Sequence, residues 1–368
     1  MSSITHHLVR RGLEATSQHL SPASNHGDED RRRLSGWAML VFGVTAVVFG
    51  LIAFATQYTY GTVVAVLAVV EDPHPDIYEP VKAPDGSKKN ASVVGSGDVP
   101  FKQPAPITRS LRSTILHLRT HAGPWSRFRG LGMYLCLGIC RSFLTQLFTV
   151  GQASRLTNPM YSCGLVAVDV ISATLELSWV HIVISQPSAK PFWRRVPGYS
   201  SWLKIAPAVA LRSVASQLTF ILPVQVGFGI NVSPIEGGNP FSGPDYHPRT
   251  DIVRATAALI LTICLTVLIE LPATVTMIRV AASILPEDEE AIVPFDRTFG
   301  GKVQPAILGG TGQVGLLDAW KTFTWPSRIR LLKVLVKTFG MLIAVTATCA
   351  IFFASEAMLL GERILVKA

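Results

Sequence analysis

Charged side chains are scarce in this chain: Asp, Glu, Lys and Arg make up 15% of its 368 residues. Soluble proteins carry about 25%. With 49% hydrophobic residues and a mean hydropathy of +0.38, the shortage excludes an ordinary soluble domain. Cysteine is sparse too. Cys136, Cys140, Cys163, Cys264 and Cys349 all fall inside apolar runs. That is the distribution of small buried hydrophobes and not of a disulfide framework. Cys136 and Cys140 are one helical turn apart, but no neighbouring His or carboxylate completes a metal site. Catalytic signatures are missing as well: there is no H-E-x-x-H, no P-loop and no G-x-S-x-G. The stretch "HPRTD" at 247–251 is one residue short of the H-x4-D acyltransferase spacing. The sequence therefore predicts neither an enzyme nor a bound cofactor.

What is present is long apolar stretches. Six stand out: Gly36–Val70, Leu131–Ala153, Met160–Ser185, Ile205–Ile230, Ile252–Leu285 and Leu331–Leu360. A bilayer core of about 30 Å needs about 20 helical residues, and each run meets that length. The expected fold is all-α, a polytopic transmembrane helix bundle of about six spans. The first run would form a helix of about 52 Å, too long for one upright crossing. Its polar stretch Gln57-Tyr-Thr-Tyr-Gly61 offers a turn, but the second span would then hold only about ten apolar residues, too few to cross. One long helix projecting beyond the bilayer is the better reading.

The net charge of +9 is concentrated just before three spans, in "GPWSRFRG" (123–130), "KPFWRRVPGYSSWLK" (190–204) and "WKTFTWPSRIRLLK" (320–333). Each mixes cations with aromatic rings, as at the head-group level of a membrane. The expected partners are the lipid bilayer and anionic lipid at these segments, with no nucleic acid. If the first run crosses once, all three segments share one face, which the positive-inside rule makes cytosolic. Arg31, Arg32 and Arg33, beside the first span, pull the other way; a seventh crossing would remove that conflict.

The chain divides into a polar tail (1–35), a first long span (36–72), a flexible connection with an interfacial helix (73–128) and a transmembrane pair (129–187). A second pair (188–285), an acidic and Gly-rich loop (286–330) and a last span with a short tail (331–368) complete it. The tail could form a weak basic amphipathic helix; Asn90-Ala-Ser92 and Asn231-Val-Ser233 are glycosylation sequons. Residues 107–122 place Ile107, Leu111, Ile115 and Leu118 on one helical face, which suits a helix lying on the membrane surface. His117 and His121 on that helix read as solvated, as does the acidic run Glu287–Glu290. "RSFLTQLFT" (141–149) recurs as "RSVASQLTF" (212–220). Each copy is followed by a span carrying Glu-Leu, at Glu176 and at Glu270. The two pairs thus read as a parallel internal repeat about an axis along the membrane normal.

Five charges lie deep in apolar runs: Arg141, Asp169, Glu176, Arg212 and Glu270. Each costs about 3 kcal/mol at a helix centre and should face the bundle and find a partner. Helix rise puts Arg141 about 18 Å and Glu176 about 16 Å from the basic face, Arg212 about 12 Å and Glu270 about 20 Å. This predicts the pairs Arg141–Glu176 and Arg212–Glu270, with Gln146 and Gln217 as interhelical hydrogen-bond partners. Asp169 is left without a basic partner, seven residues from Glu176. Desolvation and mutual repulsion should then keep a proton on one of the two carboxylates.

Gly309, Gly312 and Gly315 have the spacing of some dinucleotide loops. A dinucleotide fold also needs further strands and an acidic residue about 20 positions on, and here the chain enters the last span instead. The glycines are read as a turn. At "LPEDEEAIVPFDRTFGGKV" (285–303) and "GLLDAWKTFTWPSRIRLLKV" (315–334) the chain resembles a group of fungal multi-pass membrane proteins, some automatically named "ubiquitin carrier protein". The resemblance covers roughly 190–340 and brings no catalytic residues. The name finds no support in the residues: ubiquitin conjugation needs a soluble α/β domain with an exposed Cys and a His-Pro-Asn tripeptide. The Pro-x-Asp/Glu-x-x-Lys/Arg signature of mitochondrial carriers is missing, which favours an endomembrane or plasma-membrane location over the mitochondrial inner membrane. Two functions stay open: a non-enzymatic scaffold or partner subunit, and a small-solute or ion transporter, proton-coupled in one form, that uses the intramembrane carboxylates.

Overall fold

The computed structural model describes residues 32–34, 36–72, 106–150, 159–188, 190–228, 248–303, 309–360 and 365–367. The N-terminal tail before Arg32, the connection 73–105, both sequons and His247 lie outside them.

Over its described residues each apolar run is mostly helix. Helix α1 comprises Gly36–Thr56, a wider π-helical stretch Gln57–Val64, and Ala65–Val70. The polar residues that could have made a turn thus widen the helix. Thr62 Oγ1 reaches back five residues to the Gln57 carbonyl at 3.2 Å, and Gly61 adds no side chain of its own. Helix α2 is Leu111–Ala122, capped by Ser110, whose hydroxyl accepts from the Ser113 amide at 3.1 Å. Gly123, at φ 80°, ends it. Helix α3 is Leu131–Phe148. Helices α4 (Pro159–Ile171) and α5 (Ala173–Ile184) form one broken span, bent by 53°. Helix α6 is Tyr199–Phe228, and α7 joins Pro248–Leu265 and Leu271–Ser283 through a π-helical turn, Thr266–Glu270. Pro272 follows that turn and has no N–H to donate, which accounts for the local widening. The six-residue helix α8 (Leu316–Lys321) precedes α9 (Trp325–Leu360).

Five of these helices are long and apolar enough to cross a membrane, and the bent α4–α5 pair makes a sixth. The chain is a helical membrane protein. Its outward apolar side chains, among them Leu259, Ile260, Phe143 and Ile139, are solvent-exposed in the isolated chain, as lipid-facing residues should be. The cysteines depart from expectation: Cys136, Cys163 and Cys264 are exposed and the other two half-buried, all free. They belong to the outer surface and not to the core. In lipid an outward thiol costs as little as an inward one.

The described residues form two compact units. One holds the chain up to Phe54 and from Ile343 onward. Within it Thr45 donates to Glu356, Phe42 stacks on Phe353, and strands β1 (Arg32–Leu34) and β2 (Leu365–Lys367) pair antiparallel. The other, Ala55–Leu342, contains a continuous core around Val63–Val70, Leu177, Val180 and Ile278.

At the basic end of this second unit the connections are tied together. Residues Ser185 and Ala291 bridge as a short antiparallel contact. Glu287, Asp288 and Glu290 of the acidic run are exposed, as expected, while Glu289 is half-buried. Glu289 accepts two bonds from the buried Arg195, at 3.2 and 2.6 Å, Asp288 meets Lys190, and Glu290 meets Gln186. His117 bonds the Ile292 carbonyl at 2.9 Å instead of facing water, while His121 stays exposed and stacks on it. The described part of the glycine segment is a turn. Gly309 and Gly312 adopt φ of 81° and 64°, and the Val314 amide donates to Ser283 Oγ.

Candidate functional site in the transmembrane core

Glu176 lies near the start of α5 and Asp169 near the end of α4, with Ser172 between them at the bend. On a straight helix the two carboxylates would stand about 10 Å apart along the axis. The bend, where Ser172 Oγ bonds back to the Val168 carbonyl at 2.8 Å, brings both within reach of one guanidinium. Arg141, from α3, places Nε 2.9 Å from Asp169 Oδ1 and Nη2 2.7 Å from Glu176 Oε2. Its Nε also lies 3.4 Å from Ser172 Oγ. From the opposite side Arg212, on α6, sets Nη2 3.0 Å from the same Glu176 oxygen and 3.8 Å from Asp169 Oδ2. The next residue, Ser213, donates to Asp169 Oδ2 at 2.7 Å. Two cations and two anions thus form a closed, neutral quartet. Glu176 is its most buried member, with a side chain 6% exposed.

The Arg141–Glu176 pair has the expected partners. The Arg212–Glu270 pair does not form. Glu270 is half-buried on the π-helical turn of α7 and, among the described residues, makes no ion pair. Rise along a helix gives depth but not direction around the axis, and Arg212 faces α4 and α5. Asp169, expected to lack a partner, has two guanidiniums and a hydroxyl. The expectation that one of the two carboxylates keeps a proton rested on Asp169 having no basic partner, and that premise does not hold. Gln146 is exposed and Gln217 half-buried, and neither bonds to the quartet. The repeated Arg-Ser positions also diverge. Both arginines converge on one carboxylate, yet Ser213 is buried against Asp169 while Ser142 faces outward.

A cavity of about 270 Å³ adjoins the quartet. Arg141, Glu176 and Arg212 line it, with Tyr134, Trp179 and Thr274 among its other walls. Two of its contributors sit at helix irregularities. Gly61 and Thr62 belong to the π-helical stretch of α1, and Leu271 directly follows that of α7. Such irregularities are frequent at functional sites. Beside the cavity is an aromatic cluster that the sequence reading passed over. Tyr58 donates to the Arg129 carbonyl, Trp179 Nε1 donates to Tyr58 at 3.3 Å, and Tyr134 meets Tyr58 edge-on at 5.1 Å. Gly130 makes the close packing possible. It adopts φ 70°, and a Cβ there would stand 3.1 Å from the Trp179 ring.

Arg279 was also passed over, although a charge inside the run Ile252–Leu285 was a visible signal. It is buried between Phe299 and Phe323, 4.8 and 5.5 Å from their ring centres, and donates to Thr322 at 2.9 Å. His181, in the last turn of α5, bonds the Ala281 carbonyl at 2.9 Å and ties α5 to α7. Among the described residues no three His, Cys, Asp or Glu side chains are grouped to hold a metal ion. No protein-family model matches the chain, and no curated protein matches it.

Proposed function

We propose that the protein moves a small solute or ion across its membrane, with the Arg141–Glu176–Arg212 wall as the polar contact on the path. One observation carries this reading: three members of a buried charge network line a cavity and do not sit in a sealed core. A volume of about 270 Å³ lies just under the roughly 300–1,000 Å³ of ligand pockets, which suits a small solute. Broken and widened helices beside an intramembrane polar site match the way transporters build binding sites. The missing mitochondrial-carrier signature favours an endomembrane or plasma-membrane setting.

The mutual pairing of all four charges supports a second reading, a scaffold or partner subunit in which the quartet fixes helix register. Cysteine accessibility separates the two. In a variant with all five cysteines replaced, Thr274→Cys and Leu137→Cys are treated in proteoliposomes with a membrane-impermeant thiosulfonate. A transport path makes them reactive from one face or, as the protein cycles, from both. A complete lack of reaction from either face leaves the scaffold.

A further inference from the structure

A second cavity, of about 280 Å³, lies between the start of α9 and the segment leading into α2. Its lining includes Arg109, Arg330, Lys333 and Lys337, together with the apolar Ile329 and Val334. Four cations meet there, and among the described residues no carboxylate lines the space. Among the described residues, Arg330 is the one of the four with a counter-charge. Its Nη1 lies 3.7 Å from Glu71, which is already held by the Thr108 amide and hydroxyl, and its Nε is buried without a partner. Lys333 and Lys337 are exposed and make no ion pair with any described residue.

Position along the helix identifies what these charges face. Ile329, Lys333 and Lys337 are spaced by four and form one stripe of α9. Lys337 is the last charge before the uncharged run 338–355. That run is about 27 Å long as helix, close to the thickness of a hydrocarbon core. The lysines therefore sit at its edge, at head-group level. Leu332, Val336 and Phe339 are exposed beside them, so the apolar surface continues from the cavity towards the bilayer. Cations at one level and exposed aliphatic and aromatic groups at the next complement a phosphate head and the upper part of an acyl chain.

We propose that this cavity is a binding site for one anionic phospholipid. The site is independent of the solute path and stands whether or not that reading holds. Its test is native mass spectrometry of the full chain in a mild detergent, titrated with phosphatidylglycerol, phosphatidylcholine or inorganic phosphate. Wild type binds one phosphatidylglycerol at least tenfold more tightly than phosphatidylcholine. Lys333→Gln with Lys337→Gln weakens phosphatidylglycerol about 30-fold and leaves phosphatidylcholine unchanged. A charge-matched control outside the three basic segments and the cavity lining, Arg119→Gln with Lys302→Gln, keeps wild-type affinity. Equal losses in the two double variants, or no preference for the anionic lipid, overturn the proposal. Displacement of the lipid by millimolar phosphate also overturns it, since the site then reads a free anion. If the first double variant loses its melting transition, Arg109→Gln, an exposed change ahead of α2, carries the same titration.

Discussion

Glu176 offers a single oxygen to both Arg141 and Arg212, so removing its charge leaves two guanidiniums to share Asp169 alone. Breaking a buried pair costs about 3–5 kcal/mol. Glu176→Gln is expected to lower thermal stability in detergent by that order. Glu270→Gln should stay within about 0.5 kcal/mol of wild type. A coupling energy above about 1 kcal/mol between Arg212 and Glu176 in a double-mutant cycle, and none between Arg212 and Glu270, is the expected signature. The reverse pattern would restore the pairing that depth alone suggested. Gly130 makes a second prediction at this scale. Left-handed backbone and the nearby Trp179 ring make Gly130→Ala cost about 1–3 kcal/mol. Gly138→Ala, inside the α3 helix that Gly130 precedes and with open space around it, should cost nothing measurable in the same melt.

Elements of this protein are shaped where their regular hydrogen bonding is interrupted. The bend at Ser172 lets two carboxylates seven residues apart share one arginine. The π-helical stretch of α1 and the residues that follow that of α7 supply walls of the cavity. The acidic connection after α7 is ordered by a neighbouring element: Arg195, itself buried, grips Glu289 bidentately and also donates to Ser185 at 2.6 Å. Arg195→Gln is therefore expected to raise amide hydrogen exchange through 286–300 and to destabilise by about 3 kcal/mol. Lys190→Gln removes an exposed pair with Asp288 and should change either reading by less than about 1 kcal/mol. Equal exchange in the two variants would mean that the connection orders itself.

Across the whole molecule the testable property is sidedness. The segment around Lys190 is joined to the connection after α7, and Lys321 closes α8 just before α9 begins. In a cysteine-free background, Lys190→Cys and Lys321→Cys should be labelled from the same face by an impermeant maleimide, and that face should be cytosolic. Labelling from opposite faces would require a different number of crossings between them. Labelling of both from the non-cytosolic side would give Arg31–Arg33 priority over the three basic segments in setting orientation.

Fold class and the five to six membrane-length apolar helices were legible in the residues. Hydropathy runs report what a bilayer will accept, and helix rise converts position into depth with little dependence on context. The single helix through Gln57–Gly61 was legible for the same reason, since the rest of that run was too short to cross alone. Azimuth was not legible. Which way Arg212 points depends on the 53° bend at Ser172, on the widened turn before Pro272 and on which helices lie beside α6. None of these leaves a periodic trace in the sequence. Nor did the run Glu287–Glu290 show that Arg195, Lys190 and Gln186 would receive it, because those partners lie about a hundred positions earlier in the chain. Depth is set by each residue's own transfer free energy. Partnership is set by the packing of several helices at once, and only the tertiary structure decides it.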